Sequence, residues 1–461
     1  MKRKTKELSC FVLAVCMAGL CACSPSVDNS AKPGPDAPGS DENPNEIRML
    51  TDVDGFINRN STGTEAGYYE MERATSDYVN IFYTDYATLS KQPLCADPMC
   101  AHNSESCTSY LSGADALVGL FVQNDKLYIY NMPADAYPSL YQCELNGSNR
   151  VPFFEFTAEH DAPKDAIAGD GESLYYLCET VVSDASVRVT VQKLDCATKQ
   201  TTELTELPHE SSESYYLVGA YDHSLLLKKN AFGETWTSDL YRYDVDRNEL
   251  TQVVDGTGNL FCRTSGNLLL YWDTETQDVH CLDLAKNKDT IVYSDPILGP
   301  NTTATINGMF DDHLIMLVTK AEPIETVDWD AVSEEVKAAY KAVLEEDLGH
   351  PLADEEVYPE LVRRSSIIEY GIDFYSNKYL AVGPDETAEI TLTMDENGTP
   401  FTVLAETKDD FLVNYDYETI EVTFTDPDGT PYTSGVRSMK RALISKENFY
   451  HNIADYRVIA Q

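Results

Sequence analysis

The residues best suited to chemistry are Cys95-x4-Cys100-x-His102-x4-Cys107, three sulfurs and an imidazole within 13 residues. Such a set can close a tetrahedral structural zinc site, staple a loop through a disulfide, or remain as free thiols. The spacing lacks the pair of cysteines about two residues apart that commonly opens a zinc site. An oxidising compartment would favour the disulfide instead. There is no Cys-x-x-Cys-His, so this is not a covalent haem site.

Other reactive signatures are missing. The chain carries no G-x-S-x-G elbow, no H-E-x-x-H pair, no phosphate-binding loop and no G-x-G-x-x-G. His160, His223, His280, His313 and His451 are scattered, and the abundance of acids makes carboxylate pairs uninformative. Asp244-x-Asp246-x-Asn248 starts like a calcium loop but has no Gly at the sixth place and falls at a hairpin turn. No residue is singled out as catalytic.

The first 23 residues run from a basic start (Lys2, Arg3, Lys4, Lys6) through the apolar stretch Leu8 to Leu20 to Leu20-Cys21-Ala22-Cys23. About 13 apolar residues span about 20 Å as a helix, short of a roughly 30 Å hydrocarbon core, so an export signal fits better than a membrane anchor. The end of this segment resembles the lipobox of bacterial lipoproteins. That resemblance implies cleavage before Cys23, a diacylated Cys23, and a membrane-anchored lipoprotein on the extracytoplasmic side.

Without residues 1–23 the chain keeps 30 Lys and Arg against 76 Asp and Glu, a formal charge of -46. A surface this negative repels nucleic acid phosphates, so nucleic acid is excluded as a partner. Residues 24–46 hold five prolines among Gly, Ser, Asn and Asp, which reads as a disordered tether. The rest, 47–461, has 43% hydrophobic residues in the whole-chain composition and 29 tyrosines, enough for a large core.

Five segments starting at Ile81, Leu140, Val191, Leu240 and Val279 share one pattern: an aliphatic residue, an acid four places on (Asp85, Glu144, Asp195, Asp244, Asp283), a polar turn, then a second apolar run. Each reads as a β-hairpin. A second pattern, a polar residue leading into an apolar run, recurs at Leu127, Leu174, Leu225, Leu268 and Leu314 at intervals of 47, 51, 43 and 46 residues, and again at Phe411 after 97. Units of this length built from short strands predict an all-β propeller. Seven blades fit best, with six or eight open, and a helical insertion about 326–365 lies in blade 6, where Val332, Val336, Tyr340 and Val343 recur at helical spacing. At this point the chain is similar to the TolB-like and related propeller ectodomains of bacterial lipoproteins, over roughly residues 60 to 461. The resemblance implies location and fold but no chemistry.

With strands lettered a to d in each blade, the b-to-c loops leave from one face. These loops include Tyr137, Phe232, Trp236 and Trp329, and the Cys95 to Tyr110 segment is placed on the same side as a d-to-a connection. That face is the candidate ligand-binding surface, although its aromatics could equally plug into one another. Cys178 on strand b and Cys196 at the end of strand c could form a disulfide, while Cys262 and Cys281, on strands a and c, are two strand spacings apart and should stay unbridged. The reading is a lipid-anchored propeller that binds a surface glycan, peptide or protein partner without catalysis, with no cofactor beyond a possible structural zinc. The alternative is a carbohydrate- or peptide-active enzyme with acid and base residues on that face.

Overall fold

The computed structural model describes residues 46–51, 61–73, 78–97, 99–112, 117–132, 137–156, 162–183, 186–233, 236–256, 260–273, 275–294, 302–368, 371–395, 399–425 and 431–460. Cys23 and the tether therefore lie outside the described residues. Seven antiparallel sheets follow one another along the chain: blade 1 (61–93), blade 2 (117–155), blade 3 (167–206), blade 4 (213–254), blade 5 (260–294), blade 6 (302–390) and blade 7 (402–458). In each the strands pair in chain order, a to d. The first strands of neighbouring sheets touch at six of the seven junctions, including blade 7 against blade 1, so strand a faces the axis and strand d the rim. The protein is a seven-bladed β-propeller. No helix among the described residues is long and apolar enough to cross a membrane.

The apolar runs have a simple origin. Strand b is covered on both faces, so successive residues bury against different neighbours. In blade 4, Leu225 and Leu227 join Tyr175, Leu177 and Val191 of blade 3, while Leu226 joins Leu260, Leu269 and Tyr271 of blade 5. In blade 5 the residue equivalent to Leu225 is Leu269, one place beyond the expected Leu268, because Leu268 pairs with Ser265 at the a-to-b turn as Ser224 pairs with Tyr221. Three of the recurring acids are turn caps. One carboxylate oxygen accepts the N–H groups of the residues two and three places on: Asp85 from Ala87 and Thr88, Asp195 from Ala197 and Thr198, and Asp244 from Asp246 and Arg247. This is the Asx-turn chemistry of a tight hairpin, and it accounts for Asp244 without calcium.

Seven apolar clusters separate the seven blades. Blade 7 against blade 1 has the smallest, with six buried members (Tyr68, Tyr86, Ala405, Leu412, Leu443, Ile459), where the cluster between blades 3 and 4 has 14. Among the described residues no strand is exchanged across this seam, since each terminal blade is completed by its own stretch of chain. The N-terminal strand Arg48–Met49 instead adds to strand a of blade 3. Two other devices hold the seam. Ala460 bridges to Ser90, with Lys91 N–H donating to the Ala460 carbonyl at 3.0 Å and Ala460 N–H to that of Leu89 at 2.8 Å. Below them Arg441 of blade 7 pairs with Glu70 and, at 3.7 Å, with Glu72 of blade 1, and Lys91 pairs with both acids.

The blade 6 insertion fills the interval between strands His313–Pro323 and Asp373–Val382. It holds helices α1 (Glu334–Leu348) and α2 (Asp354–Ser365). Ser333 caps α1 by accepting the Val336 N–H, and Gly349 ends it at φ 73°. The buried face of α1 is turned from the one expected: Leu344 is buried and Val343 is exposed, because the helix packs on Ile324, Val357 and Leu361 of its own insertion.

The c-to-d turn of blade 2 bears on the cysteine-rich segment. Gly147 sits there at φ 79°, and a Cβ at this position would lie 2.8 Å from the Leu94 carbonyl and side chain. Gly147→Ala should therefore cost about 1–2 kcal/mol, from the left-handed backbone alone. A loss confined to this range in denaturant unfolding would show that Leu94 yields freely, a larger loss would show that it does not, and an unchanged midpoint would overturn the backbone cost itself.

Candidate functional site

The cysteine-rich segment occupies a different place from the one expected. Strand c of blade 1, Tyr78–Asp85, pairs along its outer edge with two pieces of chain: Ser90–Pro93 against its second half and Tyr110–Ser112 against its first. Residues 94–109 are thus an excursion from the middle of the outermost strand. Leu94 N–H donates to the Ile81 carbonyl at the point of departure, and Ile81 N–H donates to that of Ser109 at the return. The segment therefore sits on the rim at the mid-height of blade 1, away from the b-to-c loops. Arg150 of blade 2 holds it from the side through the Thr108 and Tyr110 carbonyls, at 3.1 and 2.8 Å.

This excursion gathers all four soft ligands. One ligand atom each from Cys95, Cys100, His102 and Cys107 lie within 4.8 Å of one another, with His102 Nδ1 3.3 Å from Cys107 Sγ. The four could hold a metal ion. Local backbone geometry favours thiolates at two of the three sulfurs: the N–H two residues on points back at the sulfur, from His102 to Cys100 Sγ and from Ser109 to Cys107 Sγ, both at 3.4 Å. His102 reaches this position through a left-handed backbone, φ 53°. The His102 N–H holds the Cys100 thiol below its ordinary range. Burial pushes the Cys107 thiol up to about 11 and lowers His102, keeping the imidazole neutral and able to donate a lone pair.

None of the eight cysteines among the described residues is joined in a disulfide. The bridge expected between Cys178 and Cys196 is not formed. Cys178 pairs with Thr190, whereas Cys196 lies beyond Asp195 and donates its N–H to the Glu172 carbonyl. Cys178 sits at mid-length of the hairpin and Cys196 at its open end, six residues past Thr190 and so about 20 Å away at 3.3 Å per residue, far outside disulfide reach. Cys262 and Cys281 lie on strands a and c of blade 5 on either side of Tyr271 and Leu270, both unbridged.

The aromatic residues fall into two groups. Tyr137 is 63% exposed at the b-to-c loop of blade 2, and Phe232 and Trp236 are 46% and 51% exposed at that of blade 4, their ring centroids 5.3 Å apart. Trp329 is a correction. It stacks on Tyr358 at 5.3 Å and edges onto Tyr340 at 6.0 Å, which makes it part of the insertion's own core. The expectation also missed apolar side chains on the same face: Val181 and Val182 of blade 3, Tyr375 of blade 6 and Tyr432 of blade 7 all lie exposed near the b-to-c ends of their hairpins. Their sequences read as ordinary strand interior, and only the length by which these hairpins overshoot the ring shows that their tips lack a covering blade.

A polar recess of about 280 Å³, lined by Asp170, Glu172, Tyr175, Lys193, His223 and Asp246, lies between blades 3 and 4. It is on the opposite face, among the a-to-b and c-to-d turns. The chain enters the ring there, with Ile47 N–H bonded to the Asp222 carbonyl at 2.8 Å.

No protein-family model matches this chain, and no curated protein matches it. Among solved structures it is similar to a prolyl endopeptidase at 10% identity, covering 88% of this chain and 55% of that one with a TM-score of 0.46. It is similar to an acylaminoacyl peptidase of Pyrococcus horikoshii at 8% identity, covering 90% and 52% with a TM-score of 0.46. It is also similar to TolB from Acinetobacter baumannii at 11% identity, covering 59% and 60% with a TM-score of 0.29. The chain thus spans between about half and three fifths of these proteins, and at such identities the likeness is one of fold alone.

Proposed function

We propose that this chain is an exported lipoprotein, anchored in the membrane through a diacylated Cys23, whose propeller binds a surface glycan, peptide or protein partner without catalysis. The observation that carries the binding reading is the gathering of exposed apolar side chains at one end of the ring, on blades 2, 3, 4, 6 and 7. Patches of this kind on otherwise polar proteins mark interaction sites, and aromatic side chains dominate their energetics. The chain enters at the opposite face, beside Asp222, so a tether of residues 24–46 leaves the apolar end directed away from the bilayer. In this reading the rim cluster of Cys95, Cys100, His102 and Cys107 holds a structural zinc and takes no part in binding.

Glycan and peptide arrays probed with the mature protein test the first half. A bound ligand should lose at least tenfold in affinity in the Phe232→Ser/Trp236→Ser double variant, consistent with about 1.4 kcal/mol or more for two central aromatics. Equal binding by that variant would move the site elsewhere, and consumption of the ligand would favour the enzyme reading. Mass analysis of the mature N-terminus, with and without Cys23→Ala, tests the anchor.

A further inference from the structure

We propose that the zinc held by Cys95, Cys100, His102 and Cys107 locks the seam at which the propeller closes. The zinc itself belongs to the reading above; its task at the seam is new. Three facts join the two places. Among the described residues the seam between blades 7 and 1 has the smallest apolar cluster and no exchanged strand. Much of what crosses it is held by one piece of chain, Ser90–Pro93, only four residues long, which carries both the bridge to Ala460 and the Lys91 ammonium. That piece runs straight into Leu94 and the first ligand, Cys95.

Without a clasp, Ser90–Pro93 would be a short edge strand followed by a long loop. A metal ion tying Cys95 to Cys107 brings its free end back to Tyr110–Ser112, so that the two pieces act as one outer strand against Tyr78–Asp85. Fixing both ends of the excursion removes the loop entropy that would otherwise favour peeling of this edge. The donor set suits zinc better than a disulfide. Any disulfide uses two of the three sulfurs and leaves the third and His102 unemployed, whereas zinc uses all four. Sulfur ligands about 2.3 Å from a tetrahedral ion lie about 3.8 Å apart, within the observed 4.8 Å grouping. Binding displaces the protons of the three thiols to solvent as Zn²⁺ takes their lone pairs, with no change of oxidation state.

The test uses the mature protein isolated without reductant or chelator. Elemental analysis should give one zinc per chain, lost in Cys95→Ser and Cys107→Ser. Removing the metal from wild-type protein with a strong chelator should speed amide hydrogen exchange at least tenfold in residues 86–94 and 455–460, leave blades 3 to 5 unchanged, and be reversed by added Zn²⁺. A native disulfide among these cysteines with no bound metal would remove the zinc and the lock together. One zinc per chain with seam exchange unaffected by its removal would leave the metal site standing and overturn the lock.

Discussion

Arg441→Ala should lower the free energy of unfolding by about 3–5 kcal/mol, the cost of stripping a partner from a buried ion pair. The guanidinium is 12% exposed and faces Glu70, which is 8% exposed, across the seam. Its removal leaves Glu70 without the guanidinium and both acids leaning on Lys91. The penalty is therefore an uncompensated buried carboxylate more than a lost attraction. A double-mutant cycle with Glu70→Ala separates the terms: the double variant should lose less than the sum of the singles, because neither charge is then stranded. A loss below about 1 kcal/mol for Arg441→Ala in urea unfolding would mean the seam does not depend on this network.

A second large effect is tied to pH. Asp165 is fully buried where blade 3 begins, and its two carboxylate oxygens accept the N–H groups of Ala166, at 2.7 Å, and of Leu217 in blade 4, at 2.9 Å. Burial pushes this carboxyl up to about 7, against the opposing pull of those two amides and of Lys164. A folded-state value above the unfolded one means that the native protein holds a proton the unfolded chain has released. Its contribution is complete below about pH 4 and is lost as the pH rises through about 7. Three pH units of this kind amount to about 4 kcal/mol. Asp165→Asn, neutral throughout, should be the less stable protein at pH 4, since its amide cannot accept both N–H groups. Between pH 4 and 8 it should gain on wild type by a few kcal/mol. Parallel stability curves for the two proteins over that range would show that Asp165 stays ionised.

How much of this was legible in the sequence depended on distance along the chain. The Asp85, Asp195 and Asp244 turns could be read because each cap bonds to residues two and three places on, and strand b could be read because a doubly covered strand must be apolar throughout. Cys178 and Cys196 were assigned to the correct strands, yet their proposed bridge failed on register, which long strands set through turn positions and bulges spread over their length. Trp329 and Val343 were misjudged because the insertion chose its own core, and helical spacing does not say which face meets a partner.

The amino-acid order alone determined the repeating hairpins, hence a propeller of six to eight blades, and the grouping of Cys95, Cys100, His102 and Cys107 in a single short segment. Only the tertiary structure decided that the blades number seven, that this segment is an excursion on the rim of blade 1 held by Arg150 of blade 2, and that Arg441 meets Glu70, 371 residues away. Turn and strand preferences act between neighbours in sequence, whereas the closing contact of a ring joins its two ends, and nothing local in either end names the other.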